Sequence, residues 1–105
     1  MFREALKGHL DLLLLAVLEK GPAHGYALIE SLRARSGGAF DLPEGTVYPA
    51  LHRLEKDGLL SSHWSTDSGR RRRIYQLTPK GAQALSRRRM EWGQFSRAME
   101  ATLEL

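Results

Sequence analysis

Four arginines in a row, Arg70 to Arg73, form the densest run of chemistry in the sequence. A guanidinium is always charged and presents a planar fork of donors, so such a run suits phosphate oxygens better than any catalytic task. The charge around it is unevenly spread. Residues 61–90 carry eight Lys and Arg against one acid, whereas residues 1–60 carry seven against eight and residues 91–105 one against three. The net charge of +4 is thereby concentrated in one stretch, as a surface that follows a nucleic-acid backbone requires. A charged edge that merely discourages aggregation would need far fewer cations. A second run, Arg87 to Arg89, spans too wide an arc of a helix to serve one surface, which leaves it two uses: flanking phosphates or a solvated face.

Other chemistry is sparse. His9, His24, His52 and His63 are scattered without a carboxylate at metal-ligand spacing, and the chain has no cysteine. That excludes disulfides, thiolate metal sites and a cysteine nucleophile. With no HExxH, glycine-rich phosphate loop or nucleophile elbow, neither an enzyme nor a metal or cofactor is expected.

The elements that must position the arginines are marked by glycine and proline. A first helix is predicted from about His9 to Lys20, closed by Gly21-Pro22, with leucines on nearly every side. A second runs from His24 to Ser36 and ends at Gly37-Gly38; a short extended link, Ala39 to Pro43, follows. The third spans Gly45 to Asp57, with Pro49 near its start and Gly58 at its end. A hairpin comes next, with strands at Ser61–Ser65 and Arg71–Leu77 around a turn at Thr66, Asp67, Ser68 and Gly69. Thr78-Pro79 then opens a long last helix.

At 100° per residue the third helix turns Val47, Ala50, Leu51 and Leu54 to one side, and Pro49, His52 and Lys56 to the other, with Tyr48 and Arg53 flanking. It follows the second helix across a short link, the arrangement that lays a recognition helix in a major groove. The arginine hairpin then reads as a wing lying along the phosphates or reaching into the minor groove. Thr46, Tyr48, His52, Arg53 and Lys56 are the candidate groove residues, and Arg70, Arg71, Arg72 and Arg73 the candidate wing contacts.

On the last helix Ala82, Leu85, Trp92, Phe95, Met99 and Leu103 recur near the spacing of a coiled-coil seam. A domain of 105 residues has little core in which to hide them, so a second copy is expected to cover them. Leu10, Leu14, Leu85, Trp92, Phe95, Met99 and Leu103 are the candidate dimer interface. The apolar run Leu12–Leu18 is too short to span a bilayer, and a cytoplasmic protein with no membrane partner is expected.

Three segments, HGYALIESL (24–32), GTVYPALHRLEKDGLL (45–60) and RRRRIYQLTPKG (70–81), resemble the PadR family of transcriptional regulators. The resemblance implies a mainly α fold with a small β-hairpin: a winged helix-turn-helix over 1–77 and a C-terminal dimerisation helix over 78–105, one structural domain overall. It implies a homodimeric repressor of a pseudopalindromic operator in double-stranded DNA. Members often respond to small aromatic or phenolic molecules; here Trp92 is the candidate ligand residue, with plain packing as its other use. A different class, a winged-helix module binding an acidic partner protein, is consistent with the same basic surface.

Overall fold

Glycine and proline set the element borders in the computed structural model, which describes residues 2–6, 8–67 and 69–105. A short helix α1 (Arg3–Leu6) precedes α2 (Leu10–Leu18). The second of these is shorter than expected because its last turn tightens: Lys20 and Gly21 donate to the carbonyls of Val17 and Leu18, three residues back, at 3.2 Å each. Leu14, Leu15, Val17 and Leu18 are buried, and Leu10, Leu12 and Leu13 pack half-buried against the core.

Helix α3 (Gly25–Arg35) begins at His24, whose Nδ1 accepts from the Ala27 N–H at 3.2 Å. Helix α4 (Glu44–Lys56) ends at Gly58, whose φ of +80° suits glycine and lets Leu59 donate back to the carbonyl of Leu54 at 3.0 Å. Pro49 sits in the second turn of α4 and forfeits one helical bond, to the carbonyl of Gly45, a residue exposed to water. Val47, Ala50, Leu51 and Leu54 all face the core, as their spacing predicts.

Strands β2 (Leu60–Ser65) and β3 (Arg72–Leu77) pair antiparallel, with Ser62 opposite Tyr75 and Trp64 opposite Arg73. Ser68, expected in the connecting turn, lies outside the described residues. A two-residue strand β1 (Ala23–His24) adds to the far edge of β3, so the sheet has three strands in the order β1-β3-β2. Two residues are too few to show alternation in a sequence, which is why His24 read as helix.

Thr78 opens α5 (Pro79–Leu103) by accepting from the Gly81 N–H at 3.0 Å, while its own hydroxyl donates to the Gly58 carbonyl at 2.7 Å. One side chain thus joins the end of the α4 turn to the start of α5. Gly81, Ala84 and Leu85 bury the first turns of α5 in the core; beyond them the helix leaves it, and the molecule measures 52 × 29 × 20 Å.

Candidate nucleic-acid interface

The outward face of α4 is an arc running from Tyr48 through His52, Lys56 and Pro49 to Arg53 and Thr46. All but Tyr48 are exposed; Tyr48 is half-buried because its ring lies over Gly25, where a Cβ would meet ring carbons at 2.5 Å. The two flanks of the arc have different neighbours. Thr46 and Arg53 border a groove shared with Leu10, Asp11 and Pro43, and Arg53 donates to the carboxylate of Asp11 on α2. Tyr48 borders an open cleft of about 480 Å³ lined also by His24, Tyr26, Glu44, Trp64 and all four wing arginines.

Within the wing the pleat divides the arginines. Arg71 and Arg73 lie over the Trp64 ring, their guanidinium carbons 4.3 and 5.3 Å from its centre. Arg73 also stands 3.7 Å from Glu55, whose carboxylate accepts from Ser62 at 2.6 Å, tying the wing to α4. Arg72, on the alternate face, places Nη1 2.9 Å from Nε2 of His24. Arg70 is exposed. Arg71 and Arg73 are therefore held against an aromatic ring and Arg72 is set beside an imidazole, an order invisible in the run itself.

The second basic run is engaged by carboxylates of its own chain. Arg89 makes two contacts with Glu19, at 2.9 and 3.2 Å, and holds that carboxyl below its ordinary range. Arg88 stands 3.9 Å from Asp11, and Arg87 3.9 Å from Glu91. Each has a carboxylate within the chain, as a solvated helix face has, so Asp11 faces both Arg53 of α4 and Arg88 of α5.

Two expected interface residues are corrected by burial. Leu14 is 0% exposed and Leu85 2%, so both belong to the protomer's own core and have no surface to offer a partner. Leu10 is half-buried, whereas Trp92, Phe95, Met99 and Leu103 are 44–57% exposed. Trp92 stands edge-on to His9 at 5.0 Å and borders an apolar cavity of about 470 Å³ with Phe2, Leu6, Leu13 and Phe40. Sequence reasoning missed Asp11, Glu55 and the roles of His24 and Trp64. Only the aromatic at position 64, in register with an arginine strand, gave a usable signal.

A model of the transcriptional regulator PadR-like family matches residues 14–87, which include α3, α4 and the whole wing. The chain belongs to this PadR-like family. It is similar to a transcriptional regulator of Mycobacterium tuberculosis, 48% identical over 63 residues that cover 60% of this chain and 56% of that protein. Among solved structures, it is similar to a PadR family regulator from Eggerthella lenta at 34% identity and a TM-score of 0.84, covering 99% of this chain and 89% of the other. A PadR family regulator from Clostridium difficile shares 36% identity at a TM-score of 0.77, over 89% and 96%. The PadR-like family consists of transcriptional regulators, not enzymes. Among the described residues of this PadR-like chain no helix is long and apolar enough to cross a membrane.

Proposed function

We propose that two copies of this PadR-like regulator form a dimer that represses transcription by binding a pseudopalindromic operator. In this reading each α4 enters a major groove with Thr46, Tyr48, His52, Arg53 and Lys56 toward the bases and phosphates. The Arg70–Arg73 wing follows the adjacent backbone. Two-fold symmetry would set the half-site centres about 34 Å apart. The single observation that carries the proposal is the cleft of about 480 Å³, which brings Glu44 and Tyr48 of α4 and all four wing arginines to one surface. The dimer rests on the apolar row of Trp92, Phe95, Met99 and Leu103, too exposed for a lone soluble helix.

Fluorescence anisotropy on a labelled duplex from the DNA upstream of the protein's own coding sequence tests this. Saturable binding that survives excess competitor DNA, with two protomers per duplex, is expected. Binding abolished by competitor at equal mass would leave only non-specific charge attraction, or an acidic protein partner.

A small planar aromatic molecule fits the reading as the signal that relieves repression, since Trp92 borders an apolar cavity large enough for one. A screen following Trp92 emission in a Trp64→Phe background checks it. A compound that shifts the emission and weakens operator binding supports the role; a screen in which none does leaves Trp92 to packing alone.

A further inference from the structure

His24 meets a hydrogen-bond donor at each ring nitrogen. The Ala27 N–H points at Nδ1 from 3.2 Å, and Nη1 of Arg72 lies 2.9 Å from Nε2. Both neighbours can only donate, because an amide nitrogen has no free acceptor and arginine remains protonated. A neutral imidazole has one N–H and one lone pair, so it can accept from one of them but not from both. Protonating the ring would worsen the conflict, and burial together with the Arg72 charge accordingly holds His24 below the usual histidine range.

The cap bond requires one tautomer of the two. His24 has the extended backbone of a helix N-cap, φ −82° and ψ 163°, and its Nδ1 accepts the α3 bond. In the tautomer that keeps this cap bond, Nε2 carries the hydrogen and faces the Arg72 donor 2.9 Å away with no acceptor between them. This pair borders the cleft whose lining includes one carboxylate, Glu44, against four arginines and the tyrosines Tyr26 and Tyr48. An anion with two or more acceptor oxygens would satisfy both donors at once.

We infer that His24 and Arg72 together seat one phosphodiester group of the DNA backbone, His24 donating from Nε2 to one non-bridging oxygen and Arg72 from its guanidinium. This rests on the DNA-binding reading above and adds a contact residue on the α3 side of the cleft. It also gives the HG of the HGYALIESL segment a use: His24 supplies the donor, and Gly25 leaves room for the Tyr48 ring beside it. The phosphate comes from the DNA backbone, because the cleft lies between the Tyr48 flank of α4 and the wing.

The test uses His24→Asn, which keeps a good N-cap acceptor but has no counterpart of Nε2. It is measured on duplexes in which single phosphates are replaced by neutral methylphosphonate. Losing a charge-assisted hydrogen bond is expected to weaken wild-type binding about tenfold at one phosphate per half-site. H24N on the unmodified duplex should show a smaller loss, because Arg72 keeps its share, and H24N should add little to the loss at the neutral phosphate. Imidazole ¹⁵N spectra of the complex should show the Nε2–H tautomer. Wild-type binding with H24N unchanged, additive losses at every phosphate, or the Nδ1–H tautomer would each overturn the inference while leaving the DNA-binding reading intact. Wild-type protein that binds no duplex at all would remove both.

Discussion

The guanidinium carbon of Arg71 stands 4.3 Å from the centre of the Trp64 ring, with that of Arg73 at 5.3 Å from the same centre. Trp64 is itself 51% exposed, so the ring does little for the core and holds the two cations in extended positions instead. Trp64→Ala should leave the thermal midpoint nearly unchanged and weaken DNA binding, because the side-chain order supplied by stacking must then be supplied on binding, at about 1 kcal/mol per protomer. Trp64→Phe should retain most of the affinity. The salt dependence should not change in either variant, since both arginines remain. Anisotropy titrations at several salt concentrations check all three statements.

Arg53 is placed differently from the other residues of the α4 arc, because Asp11 holds its guanidinium. Asp11→Asn removes a negative charge beside the proposed groove face and frees Arg53. Operator binding should tighten by about two- to fivefold, and stability should fall by no more than about 1 kcal/mol, the range of exposed pairs. Weaker binding in D11N would mean that Asp11 orients Arg53 for DNA and does not withhold it.

Most of the architecture was legible because its signals are local. Gly58, Thr78-Pro79 and the spacing of Val47, Ala50, Leu51 and Leu54 each act within a turn or two, and the structure places all of them as their chemistry predicts. The site was less legible because its contacts are long-range. Asp11 meets Arg53 42 positions away and His24 meets Arg72 48 positions away, and no periodicity links such pairs. Leu14 and Leu85 failed as interface residues for a related reason: apolar spacing marks a face, but only packing shows which part of that face the protomer keeps for itself.

Two glycines of α5 should respond to alanine with opposite signs. A Cβ on Gly81 would lie 2.0 Å from the Leu59 carbonyl oxygen, a backbone atom that cannot give way, so Gly81→Ala should destabilise the fold by about 2–3 kcal/mol. A Cβ on Gly93 meets only the far end of the long Arg97 side chain, at 3.3 Å, so Gly93→Ala should stabilise the helix by about 0.5–1 kcal/mol. Denaturant melts of the two variants at equal protein concentration provide the comparison.

Phe95 is 52% exposed and its ring centre lies 5.9 Å from that of Trp92. Phe95→Glu should leave each protomer folded, with unchanged helical circular dichroism, while burying an unpaired charge in any seam between two α5 helices. Sedimentation should then show a dimer for the wild type and a monomer for the variant, and operator affinity should fall by at least tenfold. A dimer of undiminished strength would place the interface elsewhere.

The proposed grip on DNA by α4 and a basic wing is tested most directly by the salt dependence of binding in wild type and in the double variant Arg71→Ala, Arg73→Ala. In B-DNA each phosphate neutralised contributes about 0.9 to the slope of log K against log salt. A dimer losing both arginines from each wing should therefore show a slope shallower by roughly 3 to 4, with a similar loss of affinity on operator and unrelated duplexes. An unchanged slope would contradict the placement of the wing on the phosphates.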